Sequence, residues 1–215
     1  NPERTSVIIT QSGGGCRATN YLALLKLGLK QAGFPNVTLI SVNTVGLDKQ
    51  PGFRYSVGLI NRCLIALIYG DLFMRVLYRT RPYERFPGSA NLLYEKWMSI
   101  AKDNVKDCSL RSFKSNIRAI IREFDTLEIL DIKKPKVGVV GEILVKYHPT
   151  ANNDIVGSIE QEGAEAVVPD LMDYLLYSSY NARFRYRYLA GKKLNKYTGD
   201  LAAYYMQGFR RIMGR

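Results

Sequence analysis

The first 45 residues switch between strand patterns and a helical pattern. Residues 6–10 are short, β-branched and uncharged, which predicts a strand buried on both faces. Apolar side chains then recur at helical spacing over 16–32, and Gly33, with Pro35 beyond it, predicts the end of that helix. Residues 37–42 predict a second strand. A strand, a glycine-rich loop, a helix and a strand in this order predict a βαβ unit.

The middle of the chain predicts three helices, over residues 54–79, over 90–105 and after Ser109, a residue type that caps helices. The longest apolar stretch, Val57 to Tyr78, carries three charged residues: Arg62, Asp71 and Arg75. A membrane span needs about 20 nearly uncharged residues. We therefore expect a buried helix here and no membrane partner.

The last third of the chain returns to strand patterns before it ends in helices. Residues 136–145 predict a central strand, a helix follows that ends near Gly163, and residues 166–168 predict a fourth strand. Two final helices are predicted over 171–189 and 198–213. Four strands that alternate with helices predict an α/β fold with a small, parallel, Rossmann-like sheet.

The predicted domains follow from that sheet. Residues 1–53 and 132–170 form the α/β core, 54–131 a helical insertion, and 171–215 C-terminal helices that pack on the core. We expect the first strand beside the third, with the second and fourth on the two flanks. Ligands of such sheets bind where the strand order reverses, beyond the carboxyl ends of the strands. This placement predicts that the segments Gln11 to Arg17 and Lys146 to Asn153 converge on one crevice.

The amino-acid composition of the chain excludes several classes of function. Lys and Arg outnumber Asp and Glu by 31 to 19, a net charge of +12, and there are three Cys and one His. The cysteines at 16, 63 and 108 are too far apart for a CxxC redox pair, and with one His they exclude a multi-zinc module. We expect a reducing, cytoplasmic setting. The abrupt start at Asn1, without an initiator Met, favours a domain of a longer protein.

The segment Ser12 to Arg17 is the main candidate for chemistry. Gly13, Gly14 and Gly15 leave backbone N–H groups unshielded before a helix, which suits phosphate, an iron–sulfur cluster or another anionic group. Cys16 begins that helix, where a thiolate is favoured, and Arg17 adds a cation. The spacing fits neither a P-loop nor a dinucleotide-binding fingerprint. The alternative is a tight turn with a buried Cys.

Other candidates have plain structural alternatives. His148 follows the predicted central strand and either contacts a ligand or is a surface residue. Glu142 interrupts that strand and either orients a ligand or pairs with a cation. Residues 152–154 either cap a helix or bind a ligand. Cys63 is expected to be a buried structural thiol and Cys108 a surface thiol.

Cations and rings alternate over residues 183–188. Such sequences can bind single-stranded nucleic acid, but a period of two does not place all the rings on one side of a helix. Nucleic acid is therefore not the expected partner. An acidic protein or the phosphates of coenzyme A fit the basic surface better.

Several strings resemble one protein family. They are Thr10 to Tyr21 (TQSGGGCRATNY), Ile40 to Asn43, Pro51 to Phe53, Lys136 to Ile143 (KVGVVGEI), Asn152-Asn153 and Pro169-Asp170. Together they resemble the 2-hydroxyacyl-CoA dehydratase activase-related proteins over nearly the whole chain. These are large activator-like proteins that join an ATPase module to a region similar to the dehydratase subunits. The resemblance implies a Rossmann-like domain of the dehydratase-subunit type.

The resemblance also implies a function. In that family a [4Fe–4S] cluster is held by Cys from separate segments, and the Cys before Arg in the GGGCR loop corresponds to Cys16. The other ligands are expected upstream, so this fragment should neither hydrolyse ATP nor hold an intact cluster unaided. Its expected role is to help hold the cluster for electron transfer or dehydratase activation. Expected partners are the ATPase module and other domains of the parent chain, and acyl-CoA or a dehydratase.

A second function stays open on the residues alone. The same glycine loop can belong to a noncatalytic module that binds a nucleotide or the phosphates of coenzyme A, with no iron present. Under either function, the residues expected to contact the bound group are Gly13, Gly14, Gly15, Arg17, Glu142 and His148.

Overall fold

The computed structural model describes residues 4–11, 16–42 and 56–213. By its internal contacts the chain divides into two units, Asn1–Ser56 and Val57–Arg215, called here the N-terminal and C-terminal units. The division predicted from the sequence, with residues 1–53 and 132–170 in one core, stays a prediction.

The N-terminal unit contains the predicted βαβ arrangement. Strand β1 (Ser6–Thr10) pairs in parallel with β2 (Thr38–Val42), and a 3-10 turn (Arg17–Asn20) and helix α1 (Tyr21–Gln31) lie between them in the chain. The expectation that β1 is buried on both faces is wrong, because Ile8 is 54% exposed. Its other positions alternate between exposed and half-buried, as in a strand with one covered face.

The C-terminal unit is built around one long helix, α2 (Val57–Thr80). Helices α3 (Ser89–Asp107), α4 (Leu110–Asp125), α7 (Leu171–Tyr188) and α8 (Lys193–Met213) contribute to the same apolar core. The largest fully buried apolar side chains come from α2, α4 and α7: Ile65, Ile68, Phe113, Ile117, Ile120 and Met172. The strong amphipathic stripe of α4 explains its place in this core.

The predicted cap of α4 is confirmed. The Ser109 Oγ accepts a hydrogen bond from the Ser112 N–H at 3.3 Å, which satisfies one of the free amides at the start of the helix.

A small parallel sheet completes the C-terminal unit. Strand β3 (Lys136–Gly138) pairs with β4 (Glu165–Val167), and helices α5 (Ile143–Tyr147) and α6 (Ile155–Gln161) lie between them in the chain. The predicted central strand over 136–145 is wrong beyond Gly138. Gly141, at a φ of 139°, turns the chain, and the Glu142 side chain then caps α5.

The predicted α/β fold class is wrong: the protein is mostly helical. Helices account for 69% of the described residues, and the described strands form two separate two-stranded parallel sheets in place of one four-stranded Rossmann-like sheet. Two of the predicted pairings are present, the first strand with the second and the third with the fourth. The predicted pairing of the first strand with the third is not among those described. Strands β3 and β4 are three residues long, which is short for the centre of a sheet.

By length and composition alone, the segment Val57–Tyr83 is apolar enough to cross a membrane. In this fold, however, Ile65, Ile68 and Phe73 of that segment pack into the core of the C-terminal unit. An apolar helix surrounded by amphipathic helices is common in soluble proteins. The structure is therefore compatible with a soluble protein.

Candidate functional site

Cys16 lies exposed immediately before the 3-10 turn of the N-terminal unit, and its thiol forms no disulfide. Its backbone is extended, and its carbonyl oxygen accepts a hydrogen bond from the Thr19 N–H at 3.1 Å. Arg17 beside it is also exposed. The alternative of a buried Cys in a tight turn is therefore wrong, and the thiol is accessible for reaction or ligation.

Gln11 holds this region together through three hydrogen bonds. Its backbone N–H donates to the Val42 carbonyl at 3.0 Å, at the end of β2. Its side-chain Nε2 donates to the Thr19 carbonyl at 2.9 Å, and its Oε1 accepts from the Ser41 Oγ at 2.7 Å. One side chain therefore connects the ends of both strands to the turn that begins at Cys16. This fixes the two ends of the glycine loop relative to each other.

The loop glycines Gly13, Gly14 and Gly15 lie outside the described residues. Their predicted role, to offer backbone N–H groups to an anion or a cluster, stays a prediction.

The cysteines of this chain do not form a cluster site by themselves. Cys16 belongs to the N-terminal unit, whereas Cys63 and Cys108 belong to the C-terminal unit. Cys63 is exposed, so the expectation of a buried thiol there is wrong. Over residues 4–11, 16–42 and 56–213, no three His, Cys, Asp or Glu side chains are grouped to hold a metal ion. A [4Fe–4S] cluster needs four such ligands, so the residues present do not fit an intact cluster.

Glu142 and His148 cap short helices in the C-terminal unit. The Glu142 Oε2 accepts from the Val145 N–H at 3.0 Å, and the His148 Nδ1 accepts from the Ala151 N–H at 3.3 Å. The second carboxyl oxygen of Glu142 is buried and has no hydrogen-bond partner in the described structure. Local capping thus accounts for the observed bonds of both side chains, and their role toward a ligand stays a prediction.

The predicted capping role of the segment 152–154 has direct support. The Asn152 Oδ1 accepts a hydrogen bond from the Ile155 N–H at 3.2 Å, at the start of α6. The Asn152 Nδ2 also donates to the Val145 and Lys146 carbonyls at the end of α5. This amide side chain therefore joins the two short helices.

A buried charge cluster in the C-terminal unit was not predicted from the sequence. Asp71 on α2 is 1% exposed, and its two carboxyl oxygens accept from the Leu171 and Met172 N–H groups, each at 2.9 Å. It therefore caps α7 from another helix. Burial raises the pKa of Asp71 to about 6, although the two backbone hydrogen bonds act in the opposite direction.

The residues around Asp71 complete the cluster. Arg75, one turn later on α2, forms two hydrogen bonds to the buried carboxylate of Asp170, one of them at 2.8 Å. The Tyr147 hydroxyl donates to the Pro169 carbonyl at 2.7 Å, and burial, together with the nearby carboxylates, raises the pKa of Tyr147 to about 12.

A mostly apolar cavity of about 340 Å³ adjoins Asp71 and Tyr147. The polar groups of the charge cluster form hydrogen bonds to other protein atoms. The cluster is therefore well suited to hold α7 in place. The sequence signal was the i, i+4 pair Asp71 and Arg75 in a largely apolar helix.

Asp71→Asn tests the buried carboxylate. Because the pKa of Asp71 is about 6 in the folded chain and 3.8 as its ordinary value, the folded state binds the proton more tightly. The free energy of unfolding of the wild type should therefore rise, relative to the variant, as the pH falls from 6 to 4, by roughly 2 kcal/mol. Urea unfolding at a series of pH values measures this difference. All other carboxylates are shared by both proteins, so a pH-independent difference would contradict the assignment.

Comparison with known proteins finds no match: no family model, no curated protein and no solved structure is similar to this chain. The remaining indications of function are the geometry around Cys16 and the motif in which that residue lies.

Proposed function

We propose that this chain is a domain of a 2-hydroxyacyl-CoA dehydratase activator-like iron–sulfur protein, and that Cys16 supplies one ligand to its [4Fe–4S] cluster. The observation that supports this proposal is the exposed, unpaired thiol of Cys16. In the chain that thiol comes after a parallel strand, and the Gln11 side chain bonds to Ser41 of β2 and to Thr19 in the turn after Cys16. When bound, such a cluster transfers single electrons.

The arrangement of Gln11 gives the proposal a physical basis. A ligand residue keeps its orientation only when surrounding hydrogen bonds hold its backbone. The Gln11 side chain binds Thr19 on one side and Ser41 on the other, so that the turn after Cys16 is tied to the sheet. Substitution of Gln11 should consequently loosen the position of the thiol without removing it.

The remaining ligands come from outside these residues. The chain has three Cys in all; in the other unit, Cys63 lies on α2 and Cys108 caps the C-terminal end of α3. The cluster is therefore assembled between this domain and other segments of the parent protein, and the domain alone does not bind it. The free thiols also favour a reducing, cytoplasmic location.

Cys16→Ser in the full-length parent polypeptide tests the proposal. Because serine replaces one of four ligands, we expect the anaerobically purified variant to lose most of its iron, whereas the matched variants Cys63→Ser and Cys108→Ser retain the wild-type content. Iron and sulfide analysis, with the visible absorption spectrum, provides the measurement. Wild-type iron content in the Cys16 variant would refute the assignment.

The exposed Arg17 beside the loop favours a second candidate, a noncatalytic module that binds a nucleotide or the phosphates of coenzyme A. It predicts that coenzyme A or ATP raises the melting temperature of this chain without iron, and that Arg17→Ala removes the increase. Lys26→Ala, an exposed cation on α1, is the matched control. If neither compound shifts the melting temperature, this candidate is excluded.

A further inference from the structure

The outer halves of α7 and α8 form a helical hairpin, residues 177–202, called here the arm. Leu176 is the last buried residue of α7, and Ala203 is the first buried residue of α8. Within the described chain, no side chain between these two positions belongs to the apolar core of the C-terminal unit. The arm therefore extends beyond that core.

The two helices of the arm pack closely on each other. A Cβ atom at Gly199 would lie 2.7 Å from the Ser179 carbonyl oxygen and 2.9 Å from the Ala182 Cβ, so the helices meet at small residues. The Arg183 guanidinium also pairs with Asp200 across the hairpin at 3.0 Å. The arm is therefore an ordered hairpin with a defined packing side.

Each helix carries an apolar face away from that packing side. On α7 four rings are spaced by three, four and four residues, which places them on one face: Tyr177, Tyr180, Phe184 and Tyr188. On α8 a similar spacing gives a second face, formed by Leu194, Tyr197, Leu201 and Tyr204. All eight side chains are exposed, including Leu194 at 71%, Leu201 at 70% and Tyr204 at 73%.

The arm is also strongly basic, with six Lys or Arg and one Asp. Asp200 is paired with Arg183, and the structure gives no carboxylate partner to the other described cations of the arm: Arg185, Arg187, Lys192, Lys193 and Lys196. Exposed apolar side chains grouped on the faces of an ordered element mark an interaction site. Here that surface is accompanied by a net charge of +5.

The positive charge and the exposed apolar side chains of the arm together indicate what kind of partner binds it. A second copy of this chain would bring an equal positive charge against the arm and is disfavoured. Nucleic acid would satisfy the cations but leave Leu194 and Leu201 against a polar backbone. We infer that the arm docks onto another protein through an apolar surface bordered by Asp and Glu. This inference does not depend on Cys16 or on the proposed cluster.

Designed peptides test the inference on the whole chain. The probe is a synthetic amphipathic helix with leucine on one face and glutamate on the other. Two control peptides replace glutamate by lysine or leucine by serine. Because the arm offers both apolar and cationic groups, the first peptide should bind at least about tenfold more tightly than either control. Fluorescence anisotropy of labelled peptides gives the affinities.

Two variants locate the binding. The triple variant Leu194→Ser, Leu201→Ser, Tyr204→Ser should weaken binding of the first peptide at least about tenfold, since it removes the apolar face of α8. The variant Arg185→Glu, Lys192→Glu, Lys193→Glu should change the preference toward the lysine peptide. Leu92→Ser, an equally exposed position on α3, is the control and should bind as the wild type does. Circular dichroism verifies that all variants are folded.

Three results would overturn the inference. One is a leucine–glutamate peptide that shows no specific binding to the arm: it binds no better than its controls, or it binds the triple variant as tightly as the wild type. Another is tight binding of a thymidine oligonucleotide that the triple variant loses. A third is a dimer in sedimentation velocity that the triple variant converts to a monomer.

Discussion

Burial of α2 is the interaction on which the C-terminal unit depends. From its second turn onward the helix buries large side chains: Ile65, Ile68, Tyr69, Leu72, Phe73 and Leu77. Helices α3, α4, α7 and α8 cover it, each with its own apolar side. The phenol of Tyr69 reaches Asn104 at 2.7 Å, so that its polar end is satisfied inside the core.

Polar contacts then attach the remaining elements to this helix. Asp71 caps α7 within the core, and Arg75 pairs with Asp170 just before that helix. Beyond the end of α2, the Arg81 guanidinium binds Glu160 of α6 through bonds of 2.7 and 2.9 Å. Helix α6 is therefore joined to the segment after α2 by a partly buried ion pair, and breaking it would leave an uncompensated charge.

The sequence was sufficient to predict most helices. Apolar spacing and caps such as Ser109 are local signals, and these elements formed near their predicted positions. The prediction of one sheet failed because strand pairing is not a local property of the sequence. Residues Lys136 to Val145 have the pattern of one long strand, but β3 ends at Gly138 and Glu142 caps the start of α5.

The aromatic residues of the arm show a second limit of the sequence analysis. The alternation over residues 183–188 is part of a wider helical spacing of rings that starts at Tyr177. Asp71 illustrates a further limit, because no local pattern shows that its partners lie a hundred residues away.

The N-terminal unit contains the residue on which the proposed chemistry depends. Cys16 and Cys63 are both exposed in this chain, so both should be labelled by an alkylating reagent when no metal is present. Iodoacetamide labelling of the full-length, iron-loaded parent protein, read by mass spectrometry, is the most direct measurement. We predict that Cys63 is labelled while Cys16 is protected, and that a chelator removes the protection. Equal labelling of both thiols in the iron-loaded protein would contradict the proposal.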